Sequence, residues 1–234
     1  MYGFLELDID KEKERYENCK TFVKTKNLTY GLLSNRLEEL QGSELARLPE
    51  LFASDYEWSQ KRMLTRMPNQ RIVLKLWKDV SPLAVENFKC LLTGEKGKGK
   101  SGKPLHFQGC NFHRIVKGFI AQGGDFMTGT GAGGESIYGK KFQDDKKGLK
   151  KKLDKRGLVA MCNTGKNSNT SQFFFTFAPC NNLNGKHVVF GEIVEGLDVL
   201  DRLESAGSEG EGKPTVSVII TSCGLIDDFA EKKK

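Results

Sequence analysis

The sequence predicts a mainly β fold, a closed β-barrel, with an added and mostly helical N-terminal segment. Three observations carry this. After residue 70, short apolar stretches of strand length recur, separated by glycine or polar loops. Only two stretches there keep helical spacing. The first 68 residues differ in kind: they hold 11 Lys/Arg and 12 Asp/Glu, while the remainder holds 26 and 18. Many short strands with few helices are the pattern of a sheet that closes and so hides its edges. The 234 residues fit one domain plus an addition. The divisions expected are 1–69 (a first strand and a helical insertion), 70–227 (the barrel) and 228–234 (a charged tail).

Phe4 to Asp10 alternates Leu5, Leu7 and Ile9 against Glu6, Asp8 and Asp10, as a half-buried strand does. Tyr16, Cys19, Phe22 and Val23 suit an amphipathic helix, and Ser54 with Glu57 forms a capping-box pattern ahead of Trp58. Residues 70–77 alternate again, with Ile72, Leu74 and Leu76 opposite Lys75. A helix follows, with Ser81 as N-cap, Pro82 at its first position, Ala84, Phe88, Leu91 and Leu92 on one face and Gly94 as C-cap. Further strands are expected at 112–116, 119–122, 157–161, 172–177, 187–193 and 216–223, and a second helix near 196–204. The segment 140–156, with nine Lys/Arg against Asp144, Asp145 and Asp154, reads as a mobile surface loop with at most weak, salt-sensitive attraction to polyanions.

Composition excludes several functions. The six cysteines show no Cys-x-x-Cys pair, so no metal or cofactor is expected; they read as reduced thiols, half of them in apolar runs and buried. No apolar run reaches the roughly 20 residues of a membrane span. The N-terminus lacks the pattern of a signal peptide. A cytoplasmic monomer is expected, with a nuclear location not excluded by the sequence. The net charge of +7 is read as a solvated surface, and nucleic acid is not an expected partner. Gly94, Gly99, Lys100 and Ser101 meet the spacing of a phosphate-binding loop, but a helix precedes them, and Gly102 and Pro104 block one after. The glycines of 123–139 read as a long loop that needs positive φ.

Three blocks carry more. Residues 112–139 (FHRIVKGFIAQGGDFMTGTGAGGESIYG), 161–174 (MCNTGKNSNTSQFF) and 183–191 (LNGKHVVFG) together resemble the cyclophilins, proline isomerases with an eight-stranded antiparallel barrel capped by two helices. The resemblance runs from about Gln70 to Leu225. GKSGKPLH at 99–106 is similar to the extended loop of one subgroup, and Glu135 matches the glutamate that holds it there. The 11–69 insertion has no counterpart, and could be padding or a site for an unknown partner.

The resemblance implies catalysis of cis–trans isomerisation at X-Pro bonds of peptides and proteins, assisting their folding. The partial double bond gives a barrier of ~20 kcal/mol. No bond breaks, so the site needs an apolar slot for proline, groups that hold the flanking backbone, and a cation near the imide nitrogen as resonance is lost. By resemblance Arg114 is that cation. Phe119, Phe174 and Leu183 wall the slot, with Ile120 beside them. Gln122 and Asn163 hold substrate backbone, His187 closes one side, and Gly131 lines the pocket for the preceding residues. Cys162, Thr164, Gln172 and Asn182 complete the substrate-binding set. Ile120 stands where the family often has methionine, and Cys162 and Thr164 where it often has alanine. Asn182 stands where it often has tryptophan, so cyclosporin, the family's macrocyclic inhibitor, is expected to bind more weakly. A proline-peptide-binding scaffold with little catalysis is the alternative. Taken singly, Arg114 would be a surface arginine, His113 and His187 satisfied polar residues, and Phe173, Phe174, Phe175 and Phe177 mostly core.

Overall fold

A computed structural model describes residues 1–9 and 71–226. The helices expected around Phe22 and Trp58, and the charged tail, lie outside these residues. Eight strands are formed: β1 (Tyr2–Ile9), β2 (Arg71–Leu76), β3 (Phe112–Val116), β4 (Ile120–Gly123), β5 (Leu158–Met161), β6 (Phe173–Thr176), β7 (Val189–Glu195) and β8 (Val218–Ile226). Three helices accompany them: α1 (Pro82–Thr93), α2 (Lys146–Lys150) and α3 (Leu197–Ser205).

The strands make one curled sheet in the order β3-β4-β6-β5-β7-β2-β1-β8. Every neighbouring pair is antiparallel. The first strand is therefore interior to the sheet, between β2 and β8. Beside β3, Asn111 bridges Ile219 of β8, and Ile220 donates its N–H to the Cys110 carbonyl at 2.9 Å.

The alternation read from the sequence decides which side chains face inward. Leu5, Leu7, Ile72, Leu74 and Phe173 are fully buried in one large core. The apolar stripe of α1 (Phe88, Leu91, Leu92) and that of α3 (Val199, Leu200, Leu203) close over it. Phe88 sits at its centre, with ring centroids 5.0 to 5.1 Å from Phe107, Phe173 and Phe190. Burying each such ring contributes about 1.5–3 kcal/mol.

One local expectation is corrected, and another holds in position only. The basic segment is not a loose loop. It contains the third helix, α2, and Phe142, Asp145, Gly148 and Leu153 along it are buried. Gly148 permits this: a Cβ there would collide with the Ser81 hydroxyl and come within 2.7 Å of Val188. Ser81 is the N-cap of α1, as expected, but its side chain makes no capping bond; its hydroxyl donates to the Val189 carbonyl at 2.8 Å. The free N–H groups at the start of α1 are met from a distance. The Asp145 carboxylate accepts from Ala84 at 2.9 Å and Leu83 at 3.3 Å. At the other end Gly94 caps α1 in the left-handed conformation, as its position predicted.

Candidate active site

The site grows out of strand register. Arg114 on β3 lies opposite Gln122 on β4, Gln122 opposite Phe174 on β6, and Phe174 opposite Ala160 on β5. Directly opposed residues share a face, so a cation, an amide and an aromatic ring stand in one row across three strands. Ile120 and Gln172, two positions along from members of this row, fall on the same face. That face is the one opposite the main core.

A second, smaller apolar cluster covers it. Ile120, Leu158, Ala160, Phe174 and Cys180 are buried there, and Phe119, Cys162 and Leu183 are half-buried against them. Phe174 was expected among residues that were mostly core, and it is 1% exposed. Its burial lies in this outer cluster, not in the main core. Leu183 arrives on a short 3-10 turn, Asn181–Leu183. The same turn leaves Asn182 exposed, with only its carbonyl bonded, to the Lys186 ammonium at 3.0 Å.

The polar members are held from behind. Arg114 is half-buried, and its Nε donates to the Glu211 carbonyl at 3.2 Å. Gln122 donates from Nε2 to Oε1 of Gln172 at 2.9 Å, and Gln172 donates in turn to the carbonyls of Gly131 and Gly133. This relay ties the glycine loop to the row. Gly131 has φ of 90°, and a Cβ there would sit 2.7 Å from Nε2 of His113. Only glycine fits both constraints.

His187 stands edge-on to Phe174, with ring centroids 5.3 Å apart. Its Nδ1 is 3.0 Å from the Met161 carbonyl; a carbonyl only accepts, so Nδ1 carries the proton. Burial holds the imidazole below its ordinary pKa, against the pull of that carbonyl. Asn163 donates from Nδ2 to the Lys186 carbonyl at 2.8 Å, and Thr164 gives its N–H to the Ser168 hydroxyl at 2.9 Å. Thus the row, the outer apolar cluster and His187 come together, Gly131 joins through Gln172, and Asn163 and Thr164 sit on a flanking loop. Asn182 stays on the outside of its turn.

Several positioning residues escaped the sequence reading. Asp125 is 1% exposed, and its carboxylate accepts N–H groups from Met127, Thr128, Thr130, Gly131 and Gly133. Burial alone would raise its pKa, but the bonds from Thr128, Gly133 and Gly131 outweigh that and hold it well below the usual carboxylate range. An aspartate among glycines, with threonine three residues on, was the available signal. Glu204 of α3 accepts the Gly118 N–H at 2.8 Å, and so fixes the turn that delivers Phe119. Arg156 pairs with Glu204 and Asp201 and donates to the Phe177 carbonyl at 2.9 Å. Nothing local in the sequence marks that long-range set.

No thiol here is a ready nucleophile. Burial first of all pushes Cys110 up to about 12 and Cys180 up to about 11, and it raises Cys162 strongly too. The arrangement can bind an apolar ring beside a fixed positive charge and bond the backbone around it.

The sequence profile described as "Cyclophilin type peptidyl-prolyl cis-trans isomerase/CLD" matches residues 62–225, well over half of the chain. The chain belongs to this family. As a cyclophilin it catalyses peptidyl-prolyl cis–trans isomerisation, and it binds proline-containing peptides as substrates. This cyclophilin keeps Glu135 buried, and the carboxylate accepts from the Lys100 and Ser101 N–H groups and from the Ser101 hydroxyl.

Proposed function

We propose that Arg114 is the catalytic cation and that the outer cluster is the proline slot. The observation that carries this is the row Arg114–Gln122–Phe174, which puts a fixed charge, a backbone-holding amide and an apolar wall on one face. Phe119, Phe174 and Leu183 enclose the ring, with Ile120 at the floor and His187 closing one side. Gln122 and Asn163 bond the flanking backbone. Gly131, Gln172, Cys162 and Thr164 shape the pocket for the residues before proline.

The rate arises because the guanidinium interacts more strongly with the twisted imide, whose nitrogen has regained its lone pair, than with either planar isomer. No proton moves. The bond that Nε donates to the Glu211 carbonyl engages one of the guanidinium's five N–H donors and leaves the others for substrate.

Three finer readings accompany this one. The Cys110–Ile220 link between the sheet's two edges supports a closed barrel. The bonds from Lys100 and Ser101 to Glu135 support membership of the extended-loop subgroup. The exposed Asn182 supports weakened cyclosporin binding, because an amide on that turn covers less apolar surface than an indole.

The test is kcat/KM and Kd on one X-Pro peptide for wild type and two variants. Arg114→Ala should lower kcat/KM about a hundredfold or more and weaken binding far less. Arg114→Lys should also be impaired, since the charge survives without the planar fork. Parallel losses of rate and affinity would reduce Arg114 to a substrate holder. A near-inactive wild type that still binds the peptide would favour the scaffold alternative.

A further inference from the structure

Phe119 lies outside the regular sheet, one residue before β4, at the end of a tight turn in which its N–H is bonded to the Val116 carbonyl at 3.1 Å. Packing does not hold the middle of this turn. Gly118 has φ of 70°, and beyond its chain neighbours no described atom lies within 4 Å of where its Cβ would stand. Hydrogen bonds must fix the turn instead.

Four hydrogen bonds close a circuit through it. The Phe119 carbonyl accepts the Phe177 N–H at 2.8 Å. The Phe177 carbonyl accepts from Nη1 of Arg156 at 2.9 Å. The same Nη1 donates to Oε2 of Glu204 on α3. Oε1 of that carboxylate accepts the Gly118 N–H at 2.8 Å, and Gly118 leads back to Phe119. The side chains of Arg156 and Glu204 are 31% and 25% exposed, so water screens their pairing only in part. The guanidinium also lies over the Phe177 ring, 5.4 Å from its centroid. Asp201 takes Nη2 of the same guanidinium but stands outside the circuit, and its side chain is 70% exposed.

We propose that Arg156 and Glu204 are positioning residues that set how tightly the slot holds its substrate, acting through Phe119. The inference rests on the slot assignment above, in which Phe119 is a wall. An apolar wall meets the proline ring alike in both planar isomers and in the twisted state. Displacing it removes uniform binding, which appears in KM. Arg114 acts on the twisted state, and its loss appears in kcat. Opening the circuit should therefore raise KM at nearly constant kcat, the reverse of the pattern at Arg114. A role in stability alone would lower the folded fraction, and with it the apparent kcat, while KM stayed fixed.

The experiment measures kcat and KM separately, with the full chain, on the X-Pro peptide used for Arg114. Arg156→Ala and Glu204→Ala should each raise KM about tenfold and hold kcat within about twofold. The double variant should cost no more than either single one, since one broken link already opens the circuit. Glu204→Gln keeps an acceptor for Gly118 and should stay within about threefold of wild type in KM. Asp201→Asn should leave both constants within about twofold. Arg156→Lys keeps the charge and loses the planar fork, so KM should rise about threefold; it carries the test if an alanine variant does not fold. Unchanged KM in Arg156→Lys and in the folded alanine variants would overturn the inference, as would a fall in kcat at fixed KM. Losses that multiply in the double variant, or a rise in Asp201→Asn as large as in Arg156→Ala, would overturn it as well. Phe119→Ala separates the two readings. If it too leaves KM unchanged, the slot assignment itself has failed; if it raises KM while the circuit variants do not, only the role of Arg156 and Glu204 has failed.

Discussion

His113 and His187 show how burial sets the chemistry of single residues. Both ring nitrogens of His113 are buried without a partner among the described residues, and burial is the main cause of its lowered pKa, with Asp125 pulling the other way. His187 is lowered by burial as well. The unfolded chain would protonate both near the ordinary value of about 6.5, while the folded chain resists. Stability is then fully present above about pH 6.5 and is lost on acidification towards the folded pKa values. The depressed carboxylates Asp125 and Glu135 add their loss only at lower pH. Urea midpoints should therefore fall between about pH 7 and pH 5, and fall less in a His113→Gln variant. A flat profile over that window would contradict this account. Asn182 makes the other prediction at this scale: Asn182→Trp should tighten cyclosporin about tenfold, or ~1.4 kcal/mol, in a calorimetric titration. No gain would remove Asn182 from the proposed inhibitor surface.

At the scale of elements, most boundaries were legible, because periodicity and punctuation are local. The alternation of Leu5 and Leu7, the stripe Ala84–Phe88–Leu91 and the stop at Gly94 all lie where the pattern put them. The 140–156 segment was misread because its charge dominates its pattern, and its anchors Phe142, Gly148 and Leu153 are sparse. Ser81 takes the N-cap position that its neighbours predicted, but a carboxylate 61 residues away from Ala84 supplies the capping oxygens in place of its hydroxyl. Burial raises the Asp145 pKa against the pull of the Ala84 and Leu83 N–H groups, so the charge itself is costly there. The acceptor oxygens should matter more than the charge. Asp145→Ala should cost about 1–2 kcal/mol, a melting shift of several degrees in a chain of this size. Asp145→Asn, which keeps an acceptor, should cost clearly less. Equal losses in thermal melts would mean that the charge and not the hydrogen bond matters.

For the whole molecule, the position of β1 is decisive. It pairs with β8 along its whole length and with β2 over residues 2–6, and Leu5 and Leu7 reach the main core. Deleting residues 1–68 would remove an interior strand and expose two new edges. The product should be aggregation-prone and lack a cooperative melt. A truncated protein melting like the full chain would show that β1 is dispensable.

The sequence by itself determined the family, the eight strands and the two longer helices, because these are written in local periodicity and in contiguous motifs. It did not determine how those residues meet. That Arg114, Gln122 and Phe174 share one row follows from strand register, which is set by pairing between segments far apart in the chain. The engagement of Asp144 by Asn167 and Asn169 was likewise invisible, as were the capping of α1 by Asp145 and the hold of Glu204 on Gly118. Each satisfies a polar group with a partner at least 23 residues away. Buried or half-buried donors must be paired somewhere, and only the tertiary structure decides where.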